Sequence, residues 1–281
     1  MSYANFKPII WSKFIQHELE KISKLVDSCN RQFEGEAKKG AKVRILNALS
    51  PEIEDYSQED GLSGPQALGD GTYVDLELDQ AKAFNFMVDD IDRMQSIDGL
   101  MENIMIEAVR KMNVQRERFV GKLAYDIVAG TADNDFKQFS DSTAISTAKA
   151  AKAAVDKGLL ALRENDVALD DSVYIEVSPF FYQAFKDDLV DLKTNNDDLI
   201  NRGIVGMYDG AKVRMSNCLY NDGTDDYCMI RTDKAIAFAS GIDKTEAYRP
   251  EKFFSDAVKG LNVYGGKIVR PKELYVIKAH K

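Results

Sequence analysis

The chain carries two histidines, His17 and His280, and three cysteines, Cys29, Cys218 and Cys228, so nucleophilic or metal chemistry has few residues to draw on. His17 lies in an apolar-periodic N-terminal stretch and His280 stands next to the last residue. Neither has a setting that would hold a base at hydrogen-bond distance from a serine or thiol, as a triad requires. No GxGxxG follows a strand pattern and no GxxxxGK[ST] occurs, which removes the usual dinucleotide and phosphate cradles. Asp133-Asn134-Asp135 opens like a calcium loop, but Lys137 occupies the next ligand position and the required glycine is absent. Asp222-Gly223-Thr224-Asp225-Asp226 offers several oxygens, in a pattern that hairpin turns select equally. Carboxylates at Asp89-Asp90-Asp92 and Asp187-Asp188 have the types for an acid and base pair, yet 46 acidic residues make close pairs common by chance. The cysteines are too few and scattered for a disulfide scaffold or a four-ligand zinc site. Cys218 and Cys228, about equally far from Gly223, are expected as free thiols facing each other across a hairpin. No catalytic residue, cofactor, metal or enzymatic activity is expected.

The distribution of charge says more than any motif. The 281 residues carry a net charge of −9, which argues against a general DNA-binding surface. From Ile45 through Asp79 there are nine acids, Glu52, Glu54, Asp55, Glu59, Asp60, Asp70, Asp75, Glu77 and Asp79, and no lysine or arginine. Charge runs are usually solvated; a run this long without a base calls for a basic partner surface. With 44% hydrophobic residues the chain can bury a sizeable core. There is no secretory pattern at the N-terminus and no apolar run of membrane-spanning length, so a reduced, cytoplasmic place of synthesis is expected.

The elements that would position these residues follow from periodicity. Residues 8 to 33 read as an amphipathic helix after Pro8, and Ala41–Leu46 alternates like a strand. Residues 47 to 72, with Gly61, Gly64, Gly69 and Gly71, form an extended loop, and Tyr73–Leu78 alternates again, so the two strands are expected to pair as a hairpin with the loop at its tip. Ala83–Val88 continues toward the body. From Met101 to Ala129 one proline-free helix is predicted, capped by Asp98 and closed by Gly130, with an apolar stripe through Met101, Met105, Ala108, Met112, Phe119, Leu123 and Ile127, and Ile104, Val120 and Ala124 beside them. At about 1.5 Å per residue it spans roughly 43 Å, longer than a small-domain core. An alanine-rich helix over 144 to 165, a strand at Ser172–Val177, a helix over Phe180–Leu192, hairpins around Asp209-Gly210 and Asp222-Gly223, an apolar Ala235–Ala239 and two strands within 261 to 278 complete an α+β chain.

An N-terminal arm, an acidic hairpin arm, a spine helix, an inserted α/β unit and a return to strands is unusual for an enzyme. Three stretches, VDLELDQAKAFNFMVDDIDRMQS, NRGIVGMYDGAKVRMSN and TEAYRPEKFFSDAVKGLNVYGGKIVRPKELYVI, make the chain resemble the major capsid proteins of tailed bacteriophages, whose Johnson fold is shared with encapsulin shells. The resemblance implies an N-arm over 1–33, an E-loop with its anchoring strands over 34–90, a peripheral domain with the spine helix over 91–140, an axial domain over 141–250 and peripheral return strands over 251–281. It implies self-assembly as hexamers and pentamers into an icosahedral shell enclosing double-stranded DNA, a virion location after synthesis in a bacterial host, and a scaffolding protein and portal as partners. No sequence-specific nucleic-acid contact and no membrane are expected.

The short N-arm implies a separate scaffolding protein or a segment already removed, and the absence of lysine over 45 to 79 implies no lysine-mediated crosslink from the loop. In this reading Glu52, Glu54, Asp55, Glu59 and Asp60 meet a neighbour's spine bases Arg110, Lys111, Arg116, Arg118 and Lys122, with Asn113 to Arg118 facing outward. Pairing within the helix, as between Glu107 and Lys111, competes for the same bases. The alternatives are an encapsulin-like cellular compartment and a hydrolase using the carboxylates around Asp89 to Asp92.

Overall fold

A computed structural model describes residues 24–34, 42–46, 73–89, 100–130, 136–167, 172–191 and 207–281. β1 (Lys42–Leu46) and β2 (Tyr73–Glu77) pair antiparallel, Val43 opposite Leu76, so the predicted hairpin base is present. Inward Val43, Ile45 and Leu76 are buried and alternate with exposed Lys42, Arg44 and Glu77. The N-terminal helix expected over 8 to 33 lies outside the described residues before Lys24. From Lys24 to Asn30 the chain is a series of turns, ending in a bridge from Asn30 to Ala237.

β3 (Gln80–Asp89), β10 (Ser255–Ile268) and β9 (Ile236–Tyr248) form a three-stranded antiparallel sheet with β10 in the centre. The second sheet has six strands in the order β4 (Thr143–Ala144), β11 (Leu274–His280), β8 (Asp226–Thr232), β5 (Val173–Val177), β7 (Ala211–Met215) and β6 (Met207–Tyr208). The expectation of peripheral return strands over 251–281 groups β11 with β10 in one domain, yet β11 pairs with β8 and β4 of the six-stranded sheet. Pro271, without an N–H, opens a short 3-10 turn over Pro271–Glu273 that redirects the strand into the other sheet. Between β6 and β7, Asp209 (φ 50°) and Gly210 (φ 84°) make the left-handed pair that a two-residue hairpin turn needs.

The described residues contain three helices. α1 (Leu100–Ala129) matches the predicted spine to within one residue. α2 (Ala148–Glu164) begins at Thr147, whose side chain accepts from the Ala150 N–H, and α3 (Pro179–Asp191) starts with proline at its first position. The central strands of the six-stranded sheet are buried on both faces, so they read as nearly continuous apolar runs. Ile175, Ile230, Ile277 and Cys228 pack under α2 and α3 with Val155, Leu159, Phe181 and Phe185. Met229, Leu274 and Val276 point the other way, onto Val120, Ala124 and Val128 of α1 and Leu25 and Val26 of the turn segment. The first half of α1 covers the three-stranded sheet, where Met105 and Val109 meet Val258, Phe84 and Phe86.

The buried face of α1 is Met105, Val109, Asn113, Arg116, Glu117, Val120, Ala124 and Val128. Met105, Val120 and Ala124 belong to the predicted stripe and its flank, but the middle of the buried face is polar, so an apolar count misses Asn113, Arg116 and Glu117.

Candidate subunit interface

Between β5 and β8 lies a buried ion pair that fixes where the N-terminal segment joins the body. Arg231 and Glu176 are both fully buried, with Arg231 donating from Nε to Glu176 Oε2 and from Nη2 to Oε1, each at 2.9 Å. The guanidinium also donates to the Leu25 and Ser28 carbonyls at 2.9 and 2.7 Å, and the Ser28 hydroxyl donates to Glu176 at 2.9 Å. Burial opposes the charge on Arg231, but the Glu176 carboxylate holds it protonated above its usual range. At the start of the segment, the Lys24 N–H donates to Glu117 at 2.6 Å and the Lys24 carbonyl accepts from Arg214 at 2.9 Å.

Among the described residues, the cysteines and His280 do not assemble a reactive centre. Burial pushes the Cys29 and Cys218 thiols up to about 11 and Cys228 to about 12, so none is a thiolate at neutral pH. All three are free, and Cys218 and Cys228 do not face each other as expected: Cys228 packs beneath α2 and α3 while Cys218 packs on the α1 side. His280, Asp225 and Ser142 do cluster. Both Ser142 Oγ and Asp225 Oδ1 lie 3.0 Å from the same ring nitrogen, Nδ1, whereas a triad needs the base and the nucleophile on opposite nitrogens.

At Asp222 the oxygens serve the turn, accepting from the Thr224 and Asp225 N–H groups and the Tyr227 hydroxyl. Among the described residues no cluster of three His, Cys, Asp or Glu is placed to hold a metal, and no helix is long and apolar enough to cross a membrane. Asp133 to Asp135, Asp90, Asp92 and His17 lie outside the described residues, and the side chains of Asp89, Asp187 and Asp188 are not described.

The spine bases divide into two groups. Arg110 and Lys111 are exposed and both approach Glu107, at 3.7 and 3.9 Å, and Lys122 approaches Asp126 at 3.9 Å. These are long pairs on open surface, where each contributes little. Arg116 corrects the outward-facing expectation: it is 7% exposed and donates to Asn262, Ser240 and Asp243 of its own chain. Asn113 and Glu117 are buried with it, because the 3.6-residue period sets 113, 116, 117 and 120 on one side. Burial lowers the pKa of Arg116 and raises that of Glu117.

Arg118 and Lys122 stay exposed and line a cleft of about 350 Å³ with Lys82 of β3, above Phe119, Tyr220 and Tyr264. Its lining has three bases and no acid. Lys82 was not among the residues singled out, although it is the first base after the base-free run.

The acids Glu52, Glu54, Asp55, Glu59 and Asp60 lie outside the described residues. At the hairpin base, Lys42 pairs with Asp75 and Glu77 at 2.8 and 2.9 Å, and Arg44 with Asp75 at 2.9 Å. Two of the nine acids are thus matched by bases just before the run, which moves its excess charge toward the loop.

An α2/α3-covered six-stranded sheet, crossed behind by a 30-residue helix that also carries a three-stranded sheet, is the capsid-protein fold of phages. The chain is similar to one from Mycobacterium phage Che8, with TM-score 0.73 and 28% identity over 91% of this chain and 90% of that one. The capsid of cyanophage P-SCSP1u is similar with TM-score 0.68 and 13% identity over 86% and 84% of the two chains. A virus-like particle from Pyrococcus furiosus follows with TM-score 0.55 and 13% identity over 95% and 97%. No protein-family model and no curated protein matches the sequence. By its structural neighbours the chain has the fold of phage capsid proteins.

Proposed function

We propose that this chain is the major capsid subunit that assembles as hexamers and pentamers into an icosahedral shell around double-stranded DNA, working with a scaffolding protein and a portal. The observation that carries the reading is the likeness to the Che8 chain over nine-tenths of both lengths. Residues 1–33 then act as the N-arm, 34–90 as the E-loop, 91–140 and most of 251–281 as the peripheral domain and 141–250 as the axial domain, with β11 completing the axial sheet. The acids Glu52, Glu54, Asp55, Glu59 and Asp60 of one copy meet Arg118, Lys122 and Lys82 around the cleft of the next, with Arg110 two turns away on the same helix. The charge of the cleft and the absence of bases from the loop support this pairing. Arg116, spent inside its own chain, drops out of the contact.

Exposed ion pairs contribute about 0.2 to 1 kcal/mol each, so these charges set register while apolar burial and repetition supply cohesion. Reversal of Glu54, Asp55, Glu59 and Asp60 to lysine leaves the monomer folded and abolishes regular particles in negative-stain microscopy; adding Arg118→Glu and Lys122→Glu restores a measurable fraction. Normal particles from the loop variant alone would exclude the charge pairing. Wild-type protein that stays monomeric at high concentration, with and without a scaffolding protein, would exclude the shell. A cellular compartment is the second reading, favoured by the likeness to the Pyrococcus furiosus particle. Genomic DNA inside purified particles decides for the virion and an enclosed cargo enzyme for the compartment.

A further inference from the structure

Away from its buried side, α1 presents Gln115, Arg118, Phe119 and Lys122, whose spacing sets them on one face. This face, the start of β3 and the loop over 218–221 enclose the cleft of about 350 Å³. Gln80 and Lys82, two residues apart, enter it from the same side of β3. The loop is held against the helix at Gly121, where no Cβ separates α1 from the Cys218 carbonyl. Phe119 meets Tyr264 edge to face at 5.5 Å and Tyr220 lies 4.4 Å from Tyr125, so the two half-buried rings that wall the cleft are fixed in place. Lys82 and Arg118 have no ion-pair partner among the described residues, and Lys122 reaches only Asp126, at 3.9 Å. Glu117 adjoins Cys218 of the lining, but it is buried and accepts from the Lys24 N–H. Arg118 and Lys122, four apart on a helix, repel each other. Three like charges gathered in a chain of net charge −9 call for an anion.

We propose that this cleft binds the phosphate group of a small molecule, held by Arg118, Lys82 and Lys122. The forked Arg118 guanidinium and the two ammonium groups supply the charge-assisted donors that a phosphate dianion accepts, and Gln80 and Gln115 carry further N–H donors in the lining. The volume lies at the small end of the range for ligand sites, about 300 to 1,000 Å³, which suits free phosphate or a single nucleotide. The walls separate these two sources. Free phosphate uses the bases alone, whereas the ring of a nucleoside monophosphate also stacks on Phe119 or Tyr220. In the shell reading the acids of a neighbour's loop approach these same bases, so ligand and loop exclude each other. Binding to the unassembled chain does not depend on that reading.

The test is equilibrium dialysis of the unassembled full chain against labelled inorganic phosphate and labelled adenosine monophosphate, in about 150 mM chloride to screen loose surface attraction. The expected result is saturable binding of at least one probe with Kd below about 1 mM, weakened at least tenfold by Lys82→Gln/Arg118→Gln. Adenosine monophosphate bound at least tenfold tighter than phosphate identifies a nucleotide site; a smaller difference identifies the phosphate group as the whole ligand. Hydrogen exchange on wild type gives a readout that needs no substitution: the bound probe should slow exchange within residues 80–82, 115–122 and 218–221. Protection confined to other segments overturns the proposal. So does the absence of saturable binding by either probe, or affinity that the double variant retains. Particles at normal yield from a chain that binds neither probe leave the shell reading standing while the site falls. A probe that binds through Lys82 and Arg118 to a chain forming no particles leaves the site standing while the shell reading falls.

Discussion

Arg231 shows how much one buried side chain can organise. Five hydrogen bonds tie it to Glu176, to two carbonyls of the turn segment and to the Ser28 hydroxyl. Arg231→Met leaves Glu176 as a buried charge without its partner, and the expected loss of stability is about 3 to 5 kcal/mol in denaturant titration. Adding Glu176→Leu removes that charge, so the double variant loses less than the sum of the two singles by more than about 1 kcal/mol. Asp75 gives a pH signature at the surface. The hydrogen bonds from Arg44 and Lys42 hold its carboxyl down at about 2, below its ordinary 3.8. A depressed carboxylate stabilises the folded state above the ordinary value and loses that contribution as pH falls toward 2. Thermal melts between pH 5 and 2 should therefore decline more steeply for wild type than for Asp75→Asn.

At the level of elements, α1 explains which parts of the fold were legible in the sequence. Its length and its ends followed from the missing prolines and from Gly130, because these are local facts of backbone chemistry. The polar middle of its buried face was not legible, since Arg116 and Glu117 are satisfied by Asn262 and Lys24, partners 146 and 93 residues away. The strand pattern identified β1 and β2 as a pair, but the sheet joined by β11 depends on a 3-10 turn that periodicity does not register. For the candidate interface, the acidic run was visible by counting, and Lys82 was not, because only folding sets it beside Arg118 and Lys122.

Gly121, in the middle of α1, is a related case. A glycine there weakens an isolated helix by about 1 kcal/mol relative to alanine. In the folded chain an added Cβ would come within 2.4 Å of the Cys218 carbonyl oxygen, so the helix needs the missing side chain to let this loop approach. Gly121→Ala should cost about 1 to 3 kcal/mol instead of stabilising, read as a fall in Tm.

For the whole molecule, α2 and α3 on one side and α1 on the other press on alternate residues of the same strands. Neither side can melt while the ladder between them remains, so these two cores form one cooperative unit. Calorimetry on the isolated subunit should show a single transition for this unit, with calorimetric and van't Hoff enthalpies in agreement. The far end of the three-stranded sheet is held by a much smaller cluster, Met105, Val109 and Val258 with Phe84 and Phe86. Its amides should exchange faster with deuterium than those of β5 and β8. A subunit built this way has a stiff plate and a pliant rim, so when force is applied to an assembly the rims should yield first and the plates should come through intact.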